Sequence, residues 1–264
     1  LAASTAALFY RIPVGHIHGG ETTEGAFDEA IRHSISKIAW WHFVAAEEYK
    51  NRVIQLGEDP KRVFLVGGMG VDGIKKMPLL KQNNLEEAIG FNFGQKNLLV
   101  TYHPVTLENN SAEIQIQELL KSLGELVDTK IIFTRPNSDT NGRIINKYID
   151  NFVNNHPQSS IAFTNMGQKN YLSTLQFVDA VVGNSSSGLL EAPTFKIGTV
   201  NIGDRQKGRL KSESVIDCKA NKESILKAIS TIYSAPFQKK LKSVKNPYGE
   251  GSGSEKIINE LKSK

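Results

Sequence analysis

Short apolar runs alternate with segments of helical periodicity along the whole chain, and few architectures accommodate such an alternation. The apolar runs predict strands over Val14–Ile17, His42–Ala45, Val63–Val66, Asn97–Thr101, Lys130–Thr134, Ser160–Phe163, Ala180–Val182 and Gly198–Ile202. The periodic segments predict helices near Glu24–Ile38, Glu47–Leu56, Ser111–Val127, Asn141–Asn154, Lys169–Phe177, Ser187–Pro193, Glu223–Tyr233 and Glu255–Lys264. Apolar strands separated by helices are typical of a parallel sheet that helices cover on both faces. The sequence therefore predicts an α/β fold.

The alternation breaks at Lys75–Asn84 (KKMPLLKQNN), where Pro78 and polar residues interrupt it. A chain of 264 residues is long enough for two small domains. We therefore interpret the break as a linker, with one doubly wound domain over 1–80 and a second over 81–250.

Composition excludes several classes of protein. The longest apolar run falls well short of the ~18 residues of a membrane span, so we expect no membrane partner. One cysteine, Cys218, excludes an internal disulfide framework and a cysteine-based zinc site, and fits a reducing cytoplasm. The net charge of +5 is too thinly spread to indicate nucleic acid, although it suits a small anionic ligand.

The strongest local motif is Asp179–Pro193 (DAVVGNSSSGLLEAP), in which an apolar strand ends at Gly183 and a serine-rich loop opens a helix. Unpaired amides at a helix start, reinforced by hydroxyl donors, can bind an anion. An ordinary serine N-cap is the simpler alternative. A hydrolase that uses Ser186 is disfavoured, because a nucleophile elbow needs glycine at the position of Ser187.

A second glycine-rich motif, Gly68–Gly73 (GMGVDG), follows a predicted strand and matches the dinucleotide-binding pattern. The helix after it is cut short by Pro78, and no acidic residue ends a strand about twenty positions later. We therefore favour a loop that lines a ligand cleft over a nicotinamide or flavin site.

The segment His16–His33 (HIHGGETTEGAFDEAIRH) is dense in titratable groups. His16 and His18 alternate onto one face of a strand, and a Gly-Gly turn then presents Glu21. A metal site built from these three side chains is conceivable, but their spacing is generic.

On the helix after this turn, Glu24, Asp28 and Arg32 recur every four residues and share one face. A surface ladder of ion pairs is the simpler interpretation. Because the ladder follows the carboxyl end of a strand, we favour a functional interpretation, in which a nearby guanidinium keeps these carboxylates ionised for a role in catalysis.

Two further strands end in polar groups. Thr101–Pro104 (TYHP) places His103 directly after a buried strand, and Thr134–Asn137 (TRPN) does the same for Arg135 and Asn137. Parallel strands deliver such groups to the same sheet edge as the serine loop, which favours one shared site.

These motifs occur in one order: HIHGGE, DEAIRH, VGGMGVD, TYHP, TRPN, GNSSSG-x-x-E and NIGDR. The order resembles the UDP-N-acetylglucosamine 2-epimerase family over nearly the whole chain, and TYHPVT is most similar to its hydrolysing branch, which supplies sialic-acid-type sugar synthesis. The resemblance implies two Rossmann-like domains of glycosyltransferase-B type, with a C-terminal helix over 251–264 that returns to the first domain.

The resemblance also implies roles for individual residues. As catalytic groups it gives the carboxylates near the sugar's C2 and the histidine against the diphosphate: Glu21, Asp28 and His103. It also gives the substrate-binding groups. The diphosphate loop contains Ser185, Ser186 and Gly188, and the ribose acceptor is Glu191. Arg205 and Asn137 are contacts on the nucleotide side, Gly68 and Asp72 belong to the loop facing the sugar, and His18 and Arg32 are further substrate-binding residues.

The implied reaction loses UDP from C1 and a proton from C2, and then adds water to release N-acetylmannosamine or a related sugar. It implies no cofactor and no metal, a UDP-sugar substrate and a homo-oligomer, dimer or tetramer. A non-hydrolysing epimerase and a UDP-binding module without turnover stay open, as does the exact sugar.

Two departures from the family pattern bear on these roles. Some relatives carry glutamate where this chain has His18, which leaves the division of roles between His18 and Glu21 open. The family begins with a complete first domain, so we expect a first Rossmann unit that is incomplete and a chain truncated at its N-terminus.

Overall fold

The computed structural model describes residues 1–22, 28–104, 111–136 and 140–263. These residues form two compact units. Unit 1 comprises Leu1–Lys76, Lys207–Leu210 and Asn246–Lys264, and unit 2 comprises Met77–Gln206 and Lys211–Lys245.

Unit 1 is a small α/β layer. Its elements are α1 (Ala2–Phe9), β1 (Gly15–Ile17), α2 (Asp28–Ile38), β2 (Trp41–Val44), α3 (Glu47–Gln55), β3 (Val63–Leu65) and α4 (Met69–Lys76), with a 3-10 turn at Pro60–Arg62. The three strands are parallel in the order β1-β2-β3. A helix from the end of the chain, Gly253–Lys262, buries Ile257 in a cluster with Phe43 and Val66.

Unit 2 contains the larger sheet. Its elements are α5 (Gln82–Ile89), β4 (Lys96–Thr101), α6 (Ser111–Gly124), β5 (Thr129–Thr134), α7 (Thr140–Asn155), β6 (Ser160–Phe163), α8 (Gly167–Thr174), β7 (Ala180–Gly183), α9 (Ser187–Leu190), β8 (Gly198–Ile202), β9 (Val215–Cys218), α10 (Lys222–Ile232) and α11 (Ala235–Leu241), with a 3-10 turn at Ala192–Phe195. The helix Gly253–Lys262 of unit 1 is α12.

The unit 2 strands are all parallel, in the order β6-β5-β4-β7-β8-β9. The chain therefore starts in the middle of the sheet at β4, runs outward to β6, and returns to β7 on the other side of β4. Ligands of doubly wound sheets bind where the strand order reverses in this way, beyond the carboxyl ends of the two central strands. In unit 2 those ends are Thr101 and Gly183, which are register partners.

The packing explains why the apolar runs form strands. Leu98, Leu99 and Val100 of β4 are all essentially inaccessible to solvent, as are the matching residues Val181 and Val182 of β7. A central strand covered by helices on both faces needs apolar side chains at successive positions.

The α/β prediction is confirmed, and every predicted strand is present within one residue at each end. Strand β9 was not predicted because it lies at the sheet edge, is only partly buried and carries the exposed Asp217, so its apolar signal is weak.

Four helices differ from the expectation, and the first of them, Ala2–Phe9, was not predicted. Met69–Lys76 is a helix although its glycines suggested a loop, and Gln82–Ile89 begins inside the predicted linker because Leu85 and Ile89 bury one face of it. Helix Ala235–Leu241 was not predicted either. In the part of the chain that the structure describes, no helix combines the length and apolarity needed to cross a bilayer.

Candidate functional site

The serine loop of unit 2 begins where β7 ends against β4. Gly183 has φ of +134°, and a Cβ on it would lie 1.9 Å from the carbonyl oxygen of Thr101. Only glycine allows the two strand ends to approach this closely. The amide of Asn184 then donates to the same Thr101 oxygen at 3.1 Å, so the loop leaves the sheet in a fixed direction.

Asn184 connects the serine loop to the loop after β4. Its side chain is fully buried, accepts from the His103 amide at 2.7 Å and donates to the His103 carbonyl at 2.8 Å. Its own carbonyl accepts from Arg205 Nη1 at 2.9 Å and from Gln206 Nε2 at 2.8 Å. The structure therefore assembles His103, Arg205 and the serine loop around one buried residue, Asn184.

The serines open the short helix α9 with amides available to a ligand. Within the described ranges, the amides of Ser185 and Ser186 donate to no partner, whereas the Ser187 amide donates to Ser185 Oγ at 3.3 Å. Gly188 lies against Thr199, whose hydroxyl donates to the Gly188 carbonyl at 2.7 Å. Unpaired amides at a helix start can hydrogen-bond phosphate oxygens.

Tyr171 on α8 contacts the helix turn that carries Glu191. The Tyr171 hydroxyl donates to Ser187 Oγ at 2.5 Å, and Ser187 lies one helical turn before Glu191, whose amide donates to the Ser187 carbonyl at 2.9 Å. Burial raises the pKa of Glu191, and the Ser187 hydroxyl opposes that change. Burial and the nearby Glu191 charge raise the pKa of Tyr171, so its phenol stays protonated and acts as the donor.

Asn137, predicted as a nucleotide contact, lies outside the described residues. Arg135 of the same motif donates to Asp150 Oδ1 at 2.5 Å and to Thr164 at 3.3 Å.

In unit 1 the central group is Glu21, which follows the Gly-Gly turn after β1. The residue is 7% exposed. Its Oε2 lies 3.7 Å from a guanidinium nitrogen of Arg209 and 4.0 Å from one of Arg32. Its Oε1 is buried and has no hydrogen-bond partner among the described residues. A buried acceptor left unpaired costs about 1–3 kcal/mol, which suggests that Oε1 is kept for a ligand.

The segment that carries Arg209 is held to unit 1 by two buried tyrosines. The Tyr248 hydroxyl donates to the Leu210 carbonyl at 3.0 Å, and the Leu210 amide donates to the Tyr49 hydroxyl at 3.3 Å. The two hydroxyls are 3.1 Å apart, and these partners make Tyr49 the donor of that bond. The Thr22 hydroxyl also donates to the carbonyl of Gly208 at 2.7 Å.

His18 is held as a neutral ring with a defined tautomer. Its Nε2 accepts from the Met69 amide at 3.0 Å, so Nε2 carries no proton and the ring proton lies on Nδ1. Burial is the main cause that lowers the pKa of His18; the Glu21 charge opposes it, while Arg209 and Arg32 lower the pKa further.

Gly68 directly precedes α4, and Asp72 lies in the first turn of that helix. Gly68 packs beneath Tyr248, where a Cβ would lie 3.1 Å from the tyrosine Cβ. Asp72 is buried and accepts from the Ser252 amide at 2.7 Å and the Ser254 amide at 3.4 Å, at the start of α12. The pKa of Asp72 is lowered to about 2, chiefly by the Ser254 hydroxyl and further by these two amides. The structure thus gives Asp72 a capping role in unit 1, and its contact with a sugar stays a prediction.

Arg32 and Asp28 share α2 but differ in surroundings. Arg32 points back to the turn, where its Nη1 donates to the Glu21 carbonyl at 2.8 Å. Asp28 is exposed on the first turn of α2, and Glu24 lies outside the described residues. Among the residues that can be described, no cluster of three His, Cys, Asp or Glu side chains could hold a metal ion.

Sequence reasoning missed four groups of these two sites: Tyr171, Ser187, Gln206 and Arg209. Ser187 stood inside the serine motif, and Arg209 and Gln206 adjoin Arg205, so proximity in sequence was a usable signal for these three. Tyr171 lies on a separate helix, and nothing local marked it.

The family model for UDP-N-acetylglucosamine 2-epimerase matches residues 1–262. A protein of Campylobacter jejuni named GDP/UDP-N,N′-diacetylbacillosamine 2-epimerase (hydrolyzing) is 43% identical over 221 residues, which are 84% of this chain and 58% of that protein. The polysialic acid biosynthesis protein P7 of Escherichia coli is 38% identical over 248 residues, which are 94% of this chain and 63% of that protein. The chain therefore spans less than two thirds of the length of these two curated relatives.

Among solved structures, the crystal structure of UDP-GlcNAc 2-epimerase from Neisseria meningitidis bound to UDP-GlcNAc is similar with a TM-score of 0.84. The match has 20% sequence identity and covers 100% of this chain and 73% of that chain. At that identity the likeness concerns the fold, and it confirms the predicted α/β fold of glycosyltransferase-B type.

Proposed function

This chain belongs to the UDP-N-acetylglucosamine 2-epimerase family, and from that premise we propose that it acts as a hydrolysing sugar-nucleotide 2-epimerase. The single observation that carries the proposal is Glu21, a buried carboxylate with one oxygen that has no hydrogen-bond partner among the described residues, two guanidinium neighbours and the neutral ring of His18 nearby. Proton transfer at carbon needs a base that is shielded from water and held in one direction.

In the proposed reaction, a base removes the proton from C2 of the sugar while the bond between C1 and the UDP oxygen breaks. The electron pair of the C2–H bond forms the C1–C2 double bond, and UDP leaves with the electrons of the broken bond. Water then adds, its hydroxyl to C1 and a proton to C2 on the opposite face. The products are UDP and a free sugar inverted at C2.

Unit 2 supplies the nucleotide contacts in this proposal. The amides of Ser185 and Ser186, which donate to no partner in the described part of the chain, would stabilise the negative charge of the leaving diphosphate, together with His103 and Arg205 on the same buried Asn184. Glu191 would accept hydrogen bonds from the ribose hydroxyls. Preorganised donors aimed at developing charge contribute strongly in such reactions.

Unit 1 supplies the proton-transfer groups. Because Met69 holds His18 with its proton on Nδ1, His18 can donate a hydrogen bond from Nδ1 but does not accept the C2 proton on Nε2. This assigns the base role to Glu21 and leaves His18 as a donor. Asp28 is proposed as the second carboxylate, which returns a proton to C2.

The sugar is proposed to be a UDP-linked 2-acetamido sugar, either N-acetylglucosamine or N,N′-diacetylbacillosamine. The name of the Campylobacter relative supports the second. The two sugars differ at C4 and C6, so parallel assays with both substrates distinguish them.

The test is incubation of the protein with each UDP-sugar in H₂¹⁸O and, separately, in D₂O. We expect free UDP without label, a free sugar with ¹⁸O at C1, and deuterium at C2. A product that keeps UDP would identify a non-hydrolysing epimerase instead. UDP binding by calorimetry without any turnover would identify a binding module and contradict the enzymatic proposal.

We also propose that the protein works in the cytoplasm as a homo-oligomer, as its lone, partly buried Cys218 and its family suggest. Burial raises the pKa of the Cys218 thiol to about 12, so this thiol is unreactive. Light scattering at several protein concentrations measures the oligomeric state, and a constant monomer mass would contradict this part of the proposal.

A further inference from the structure

The proposed ribose acceptor, Glu191, is held by a side chain that lies twenty residues earlier in the chain. Tyr171 on α8 donates to Ser187, and Ser187 lies one helical turn before Glu191. Ser187 and Glu191 are four residues apart, and the Glu191 amide donates to the Ser187 carbonyl at 2.9 Å, which keeps both side chains on one helical face.

The protons available limit what Ser187 can do. A serine hydroxyl has one proton, and an ionised carboxylate only accepts. Tyr171 donates to Ser187 Oγ at 2.5 Å, which leaves the Ser187 proton for another partner. Glu191 lies one helical turn away, and the Ser187 hydroxyl lowers its pKa, so this carboxylate is the acceptor available to that proton. The Tyr171 side chain itself is partly buried.

We propose that Tyr171 is a positioning residue for nucleotide recognition, which holds Glu191 through Ser187 in the orientation that accepts the ribose hydroxyls. This inference rests on the proposed function, because it assumes that the ligand of unit 2 is a uridine ribonucleotide. Without the phenol, Ser187 can rotate away from Glu191, and the carboxylate loses its defined direction.

The test measures the affinities of UDP, 2′-deoxy-UDP and 3′-deoxy-UDP by calorimetry for the wild type and for Tyr171→Phe, which keeps the buried ring. We expect the wild type to prefer UDP over the deoxy analogue that lacks the bonded hydroxyl by about tenfold, as a bond to a charged acceptor implies. In Tyr171→Phe we expect this preference to fall by about three- to tenfold, mostly through weaker UDP binding.

If Tyr171 only contributed to packing, Tyr171→Phe would weaken the binding of all three ligands equally and leave the preference for UDP unchanged. An unchanged ratio of the UDP and deoxy-UDP affinities in Tyr171→Phe therefore overturns the inference. Tyr148→Phe is the matched control, because it also removes a phenol that donates to a unit 2 carboxylate, at Glu113. That control should keep the wild-type ratio.

Ser187→Ala is the second variant should Tyr171→Phe fail to fold. It removes the bridging hydroxyl with little change in volume, and it should lower the preference to the same extent. Absence of UDP binding to the wild type would contradict the proposed function as well. UDP binding without any preference over either deoxy analogue would overturn only the ribose role of Glu191 and, with it, this inference.

Discussion

The two units place polar groups at strand ends in different ways. In unit 2 the groups at the ends of β4 and β7 are backbone amides and neutral side chains, ordered by Asn184 and a glycine with positive φ. In unit 1 they are titratable side chains, above all the buried Glu21 and the partly buried His18, which lie near two guanidinium groups. The comparison teaches that backbone geometry suits the binding of a charged group, whereas proton transfer needs buried side chains whose charge can change.

The two units also differ in how deeply their sheets are buried. The six strands of unit 2 share one large buried core, while β1 and β3 of unit 1 expose Ile17 and Leu65. Substitutions in unit 2 should therefore act on folding and affinity, and substitutions in unit 1 on turnover and on the response to pH.

The largest expected effect is that of Gly183→Ala. The new Cβ would overlap the Thr101 carbonyl oxygen, so β7 cannot pair with β4 without moving. We expect a loss of more than about 4 kcal/mol in the free energy of unfolding, measured by urea denaturation.

Gly90→Ala is the control for this substitution, because Gly90 has φ of +64° and open space around it. It should cost only about 1–2 kcal/mol, the price of a left-handed alanine. Equal losses in the two variants would contradict the close approach of β7 to β4.

The next effect is on turnover. Glu21→Gln should lower the rate of UDP release by about 10²–10⁴-fold, because the amide cannot take a proton from C2. The affinity for UDP should stay within about twofold, since binding belongs to unit 2 in the proposed function. Glu29→Gln, on the helix that follows, should leave both quantities unchanged. A variant with unimpaired turnover would remove Glu21 from the mechanism.

A smaller effect is expected in unit 2 from Asn184→Ala. It removes the two hydrogen bonds that the Asn184 side chain makes with the amide and the carbonyl of His103, which should cost about 1–3 kcal/mol of stability and weaken UDP binding. Asn221→Ala removes the N-cap of α10, whose side chain accepts from the Ser224 amide, and should cost stability without any change in UDP affinity. Similar UDP affinities in the two variants would show that Asn184 does not order the binding loop.

The smallest effect is a dependence on pH that is specific to unit 1. Burial, with the neighbouring charges, lowers the pKa of His16 from 6.5 to about 4. Between these values the unfolded chain binds more protons than the folded one, so stability should fall as the pH decreases from 6.5 towards 4. His16→Asn should flatten this part of the curve of melting temperature against pH. An unchanged slope would show that His16 does not contribute to it.

Much of the fold followed from local sequence. The central strands Lys96–Thr101 and Ala180–Gly183 carry apolar residues at successive positions, 98–100 and 180–182, because both of their faces are buried, and that requirement is visible in the residues themselves. The serine motif was likewise visible in the residues, because glycine ends the strand and serines open the next helix. Local pattern failed at Val215–Cys218 and Met69–Lys76, where an exposed edge or internal glycines hid the element.

The sequence alone was sufficient for the fold class, the order of the motifs and most of the groups placed at strand ends. Only the folded chain decided which of those groups meet. The Tyr49–Tyr248 pair brings Lys207–Leu210, and with it Arg209, to Glu21, and α8 brings Tyr171 to Ser187. The tautomer of His18 and the capping role of Asp72 depend in the same way on partners distant in sequence. Periodicity and propensity act over a few neighbouring residues, whereas burial, charge pairing and hydrogen-bond direction depend on whatever the tertiary fold brings within a few ångströms.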